Sequence, residues 1–239
     1  MTGRDVWAVV LVKPFRLAKQ RLAGVLDAGE RSELARVMLE DVLTAVDACE
    51  RLAGVIVVTA DRAAAAVARR HKAIVLMETA AIGMNAAVTR VVKYLTGSLD
   101  AGMVVVPADL PHVSPEDIEE MIDLIDHPPA IALVRSSDGG TNLLACRPSG
   151  VIAPSFGPDS FNAHCHAAEC RGITPTVYFA PHLSLDIDRR DDLVAFVSRK
   201  SPTRTHDYLS RLKIQARLST VPASALSLVR TGCEVAAHE

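Results

Sequence analysis

Short runs of β-branched apolar residues recur along the chain, each followed by a longer stretch in which apolar residues return every three to four positions. Val6–Val12 precedes Arg31–Cys49, Val55–Thr59 precedes Arg62–Arg70, Ala73–Met77 precedes Asn85–Leu95, and Met103–Val106 precedes Pro115–Asp126. The short runs read as strands and the longer stretches as amphipathic helices. Unbroken runs such as Val55–Val58 and Val104–Val106 suit strands covered on both faces, as helical crossovers between parallel strands require. The pattern predicts an α/β fold, a single doubly wound and mostly parallel sheet with helices on both faces.

The rhythm continues through strands at Ile131–Val134, Asn142–Cys146 and near Thr176–Phe179, with helices near Phe161–Arg171 and from Arg189 to Ser198. Residues 1–200 are therefore read as the α/β domain. From Ser201 the chain turns rich in Ser, Thr and Arg, with one short amphipathic piece at Tyr208–Leu218, so 201–239 is expected to be a tail, partly helical or frayed.

Composition narrows the function classes. Lys plus Arg total 26 against 28 Asp plus Glu, so there is no basic field for a nucleic-acid backbone, and aromatic residues at 4% give few stacking platforms. No apolar stretch approaches the ~18 residues of a membrane span. The five cysteines, at 49, 146, 165, 170 and 233, form no CxxC pair and are odd in number, which argues against a disulfide framework and fits a cytoplasmic protein. A homodimer is compatible with the sequence, dimers being common among soluble enzymes, but no residue points to one.

Ligands of open α/β sheets sit beyond the carboxyl ends of the strands, so the residues there come first. After the first strand, Lys13, Arg16, Lys19 and Arg21 fall within nine residues, in a loop that is neither GxGxxG nor Walker type. Four cations on one loop suit a polyphosphate or form a solvated basic loop. After the fourth strand comes PADLP, where Asp109 is either a ligand for a hard divalent ion such as Mg²⁺ or a turn-stabilising residue. The following SPED reads as a helix start, with Ser114 as cap and Pro115, Glu116 and Asp117 in the first turn. In LSLDIDRRDDL an extended segment would put Asp186 and Asp188 on one face, as a second acidic site or with Asp188 capping the next helix. DGGTN and FGPDSF read as turn and cap, or as loops that bind a small anion through glycine amides and a helix start. His164, Cys165, His166 and Cys170 resemble zinc ligands in composition only, because on a helix just His166 and Cys170 share a face.

In order, VKPFRLAKQRLA, TADRAAAA, IGMNAAV, VVVPADLP, DGGTNLL, FGPDSF and LDIDRRDDL resemble the motifs of the guanylyltransferases that make the deazaflavin coenzyme F(420), over Val6 to Leu193. That family is similar in fold to the molybdenum-cofactor guanylyltransferases, a modified Rossmann sheet. The resemblance implies transfer of GMP from GTP to the phosphate of 2-phospholactate, phosphoenolpyruvate or 3-phosphoglycerate, with release of pyrophosphate. It implies that Lys13, Lys19 and Arg21 meet the GTP phosphates, that Gly83 and Asn85 lie beside the nucleoside, and that Asp109 and Asp188 hold Mg²⁺. Thr141, Gly157 and Ser160 would bind the three-carbon acceptor, with Asn142 nearby. Met84 stands where the family often has Leu, and Arg189–Arg190 where it often has Thr–Pro.

A phosphate monoester is already a dianion near neutral pH, so such a transfer needs no general base, consistent with the lack of a Ser/His/Asp set. Two other readings stand beside it. One is a nucleotidyltransferase of the same fold with a molybdopterin, sugar phosphate or polyol phosphate acceptor, against which the glycine-free first loop speaks. The other is a non-catalytic nucleotide-binding module, against which the two acids speak.

Overall fold

The computed structural model describes residues 5–81, 83–97 and 101–220. Seven strands, β1 (Val6–Val12), β2 (Gly54–Thr59), β3 (Ile74–Met77), β4 (Gly102–Pro107), β5 (Ala130–Arg135), β6 (Thr141–Arg147) and β7 (Thr176–Val177), form one sheet in the order β3-β2-β1-β4-β6-β5-β7. Only the pairings of β6 with β4 and β5 are antiparallel. The expected α/β class and doubly wound, mostly parallel sheet are what the chain forms.

Side-chain alternation along the strands divides the core in two. Ala8, Val10, Val57, Val104 and Val106 face α1 (Ala28–Ala48), α2 (Arg62–Arg70) and α4 (Pro115–Asp123). Val9, Ile56, Val58, Met103 and Val105 face α3 (Met84–Leu95) and α5 (Ser160–Glu169). The strands are thus buried on both sides, which explains their unbroken Val/Ile composition. The SPED segment forms the expected start of α4: Ser114 and Asp117 make a reciprocal capping box, with Pro115 in the first turn.

A third apolar cluster sits on the far side of α1, where Leu34, Val37 and Met38 meet Ile187 and the helices α6 (Arg190–Val197), α7 (Arg204–Arg211) and α8 (Ile214–Thr220). The single amphipathic piece expected at Tyr208–Leu218 is thus two helices, with Tyr208, Leu209, Ile214 and Leu218 buried in this cluster. Residues 221–239 of the expected tail lie outside the described residues. The anchor is polar. Asp41, buried in α1, accepts the Arg204 and Thr205 amide hydrogens at 2.9 and 2.8 Å and the Thr205 hydroxyl at 2.6 Å. Asp41→Ala leaves those donors at a buried helix start and should destabilise the fold by about 3 kcal/mol. A urea melt checks this, and an unchanged midpoint would show that α7 docks without this carboxylate.

Two local expectations are corrected. The 183–188 segment forms no strand: Pro181–Leu183 is a 3-10 turn, and the stretch behind it is irregular, tied to β4 by the Ile187 amide donating to the Asp109 carbonyl at 3.4 Å. Ile187 nevertheless points into the core while Asp186 and Asp188 stay partly exposed, so the alternation survives without a ladder. Nor does Asp188 cap α6. The Asp192 carboxylate reaches back to the amides of Asp188 and Arg189 at 3.0 and 2.6 Å, which frees the Asp188 side chain.

Candidate active site

The carboxyl ends of β1, β2, β3 and β4 share one edge of the sheet, and a cavity of about 550 Å³ opens there. Lys13, Lys19, Arg21, Gly83, Asp109 and Asp188 all line it. A larger opening, of about 850 Å³, lies against α1 and the start of α4 with His112 and His182 on its wall, and receives no residue of the first loop.

The loop after β1 is built as two 3-10 turns, Phe15–Leu17 and Gln20–Leu22, pinned by the buried side chains of Phe15 and Leu22. The Phe15 amide donates to the Asp61 carboxylate at 2.7 Å, and Asp61 also caps α2, so the loop is fixed to the end of β2. Between the turns Lys19 takes a left-handed conformation, φ 56°, that a side-chain-bearing residue adopts only at a cost of ~1–2 kcal/mol. The compensation is visible: its buried ammonium lies 2.6 Å from Asp109 and 3.9 Å from Asp188. Arg21 forms a further ion pair with Asp188. The loop cations therefore do not simply repel one another. Lys19 and Arg21 meet the two acids, whereas Lys13 is exposed on the cavity wall and makes no ion pair among the described residues.

Asp186 lies near enough to Asp109 and Lys19 to feel their charges. Burial, and then the charge of Asp109, push its pKa up to about 6, while Lys19 pulls the other way. The ligating atoms on offer are thus carboxylate oxygens, a hard donor set. Among the described residues no group of three or more His, Cys, Asp or Glu is arranged to hold an ion alone. Asp109 and Asp188, bridged by one ammonium at the cavity wall, fit an ion that takes one or two carboxylates and completes its shell with phosphate and water, as Mg²⁺ does.

Gly83 precedes α3 with φ 91°, a conformation that L side chains rarely adopt, and lies on the cavity wall. The amide group of Asn85, by contrast, is occupied: its nitrogen donates to the Phe156 carbonyl at 3.0 Å and its oxygen accepts the Phe156 amide hydrogen at 2.6 Å. It staples the start of α3 to the loop that carries Gly157, whose φ of 141° again needs glycine. Asn142, which is buried, likewise uses its amide inside the protein, donating to the Leu183 carbonyl at 2.6 Å and tying β6 to the segment that leads to Asp188.

Thr141 and Ser160 come together, with the Ser160 hydroxyl donating to Thr141 Oγ at 3.3 Å. The glycine amides of DGGTN are not available to an anion. Gly140 donates to the Asp138 carboxylate and Gly139 to the Ser136 carbonyl, and the Asp138 pKa is lowered by the Ser136 hydroxyl and the Gly140 amide. At the start of α5, Ser160 and Phe161 donate to the carbonyls of Gly157 and Gly139. Ser160 does not cap its helix, since Asp159 holds that position. The amides of Gly139, Gly140, Ser160 and Phe161 are thus engaged inside the protein, and the hydroxyls of Thr141 and Ser160 are side-chain groups that the two loops bring together. Reading the sequence for zinc also obscured His164, which is fully buried and bonds Thr141; its i,i+4 spacing from Ser160 was the available signal.

The mostly parallel sheet, with a cationic first loop and paired acids at its carboxyl edge, has the nucleotide-diphospho-sugar transferase-like fold. A Desulfovibrio desulfuricans protein assigned as a nucleotide-diphospho-sugar transferase superposes with a TM-score of 0.70 at 15% identity, covering 90% of this chain and 97% of its own. Within that class, residues 6–231 match the family described as guanylyl transferase CofC like, and the chain belongs to this family. The match extends past Leu193 into α7 and α8. A phosphoenolpyruvate guanylyltransferase of Roseiflexus castenholzii is 39% identical over 80% of this chain and 87% of its own. A 2-phospho-L-lactate guanylyltransferase of Methanothermobacter thermautotrophicus is 29% identical over 89% of this chain and 93% of its own.

Proposed function

We propose that this protein transfers GMP from GTP to the phosphate of a three-carbon phospho-acid, with Mg²⁺ and with release of pyrophosphate, as a cytoplasmic step of coenzyme F(420) biosynthesis. The observation that carries the reading is the convergence of Lys13, Lys19, Arg21, Asp109 and Asp188 on one cavity, in a chain of this guanylyl transferase family. Phosphoenolpyruvate is the acceptor favoured, because the relative at 39% identity acts on it, ahead of 2-phospholactate and 3-phosphoglycerate.

The difficulty of the reaction is electrostatic. An acceptor phosphate with a second pKa near ~6 is a ready nucleophile, but it must approach a triphosphate of like charge. Lys13, exposed on the wall, is free to meet the incoming phosphates, while Lys19 and Arg21 hold Asp109 and Asp188 in place before substrate arrives. Mg²⁺ held by Asp109 and Asp188 would supply neutralising charge at the transferring phosphorus. The acceptor oxygen forms the new bond to the α-phosphorus as the bond to the bridging oxygen of pyrophosphate breaks. Gly83 lets the backbone stand close to the nucleoside, and the Thr141 hydroxyl, itself held by the Ser160 hydroxyl, orients the acid.

Incubation with GTP, Mg²⁺ and each acid in turn, with the nucleotide product read by mass, tests the reading. A diphosphate-linked GMP conjugate should form, with ATP, CTP and UTP much poorer donors; equal use of ATP would favour a nucleotidyltransferase of broader base specificity. Ser160→Ala should raise the acceptor KM ~10-fold and leave that of GTP near its original value, since the Ser160 hydroxyl donates to Thr141 Oγ and its loss frees Thr141 to turn a lone pair toward the anion. An unchanged acceptor KM would remove Ser160 from the acceptor site.

A further inference from the structure

His164 is fully enclosed in α5, its ring held edge-on by Phe156 at a centroid distance of 4.9 Å. Its Nε2 lies 2.9 Å from the Ser155 amide nitrogen, which can only donate. A ring nitrogen that accepts carries no hydrogen, so the neutral imidazole bears its hydrogen on Nδ1. Nδ1 lies 3.0 Å from Thr141 Oγ and therefore donates to it. The Ser160 hydroxyl donates to the same oxygen at 3.3 Å. A hydroxyl oxygen has two acceptor sites and one hydrogen. With both sites filled, the Thr141 hydrogen is left to bond an acceptor from elsewhere. The reverse arrangement, with Thr141 donating to Nδ1, would put a hydrogen on Nε2 facing the Ser155 amide hydrogen.

We propose that His164 is a positioning residue for the phospho-acid: together with Ser160 it fills the lone pairs of Thr141 and so commits the Thr141 hydroxyl to donate to an anionic oxygen. The inference rests on the reading of Thr141 and Ser160 as the acceptor site. A threonine free to rotate would spend part of its time presenting a lone pair to that anion, which repels it. Burial lowers the His164 pKa to about 4, so the ring stays neutral and the arrangement holds throughout the physiological range.

Two substitutions separate positioning from packing. In His164→Asn the side-chain amide nitrogen occupies the place of Nδ1 and can donate to Thr141, whereas in His164→Gln the amide reaches the place of Nε2 and serves Ser155 instead. With phosphoenolpyruvate as probe, His164→Gln should raise the acceptor KM ~10-fold, His164→Asn should recover most of that loss, and the GTP KM should stay within about twofold in both. Thermal melts check that both variants fold. Equal acceptor KM values for the two variants, or parallel changes in the GTP KM, would overturn the role of His164 alone. Absence of turnover by the wild type with all three acids would remove the acceptor reading, and the proposal with it. Nitrogen-15 NMR of histidine-labelled wild-type protein gives a readout independent of activity and of any variant. A neutral, Nδ1-protonated ring is expected, and an Nε2-protonated or charged ring near neutral pH would overturn the proposal.

Discussion

Asp188→Asn is expected to lower turnover at saturating GTP and Mg²⁺ by ~10²-fold or more, with Asp109→Asn close behind, while both variants stay folded. The substitution keeps the size of the side chain and removes its charge. Both carboxylates are about one-third exposed, so the ion pairs they make with Lys19 and Arg21 contribute at most about 1 kcal/mol to stability. Their larger role lies in the reaction, where charge builds on a phosphorus already surrounded by anionic oxygens. Steady-state kinetics with a thermal melt check this. Wild-type turnover in either variant at saturating Mg²⁺ would show that the substituted acid is not a ligand.

Lys19→Met is expected to have a twofold signature: turnover reduced by ~10²-fold or more, and a lowered melting temperature that Mg²⁺ partly restores. Lys19 is a buried cation shared by Asp109 and Asp188, and it opposes the rise in the Asp186 pKa. Without it Asp109 and Asp188 lose the cation they share, and the Arg21 that remains beside Asp188 is largely exposed. A divalent cation added to such a cluster binds the folded state preferentially and stabilises it by mass action. A melting temperature indifferent to Mg²⁺ would contradict this, because it would show that the acids do not need a shared cation.

How much of this was legible in the sequence depends on the range of the interaction. The strands and crossover helices follow from local periodicity, and α2 spans Arg62–Arg70 as the pattern predicts. The start of α1 was hidden because its apolar repeat begins after the Asp27–Glu30 capping box. The packing of α6, α7 and α8 was hidden for a different reason. α1 is apolar on two sides, and a periodicity shows that a face is buried without showing what covers it. Asp109 and the Lys13–Arg21 loop were visible as charged residues placed directly after strands. Their pairing was not, since Lys19 and Asp109 are 90 residues apart and meet only through the sheet order. DGGTN looks like an amide cradle because glycine permits one, but the Asp138 carboxylate and the Ser136 carbonyl already take its Gly140 and Gly139 amides.

The central claim is that an oxygen of the acceptor phosphate attacks the α-phosphorus of GTP at the Asp109–Asp188 edge. Phosphoenolpyruvate carrying oxygen-18 on its phosphate, incubated with GTP and Mg²⁺ and resolved by mass, tests this most directly. The expected result is that all the label appears in the GMP conjugate, one labelled oxygen bridging the two phosphorus atoms, with none in the released pyrophosphate. Free GMP beside a labelled, pyrophosphorylated acid would place the attack on the β-phosphorus and contradict the claim.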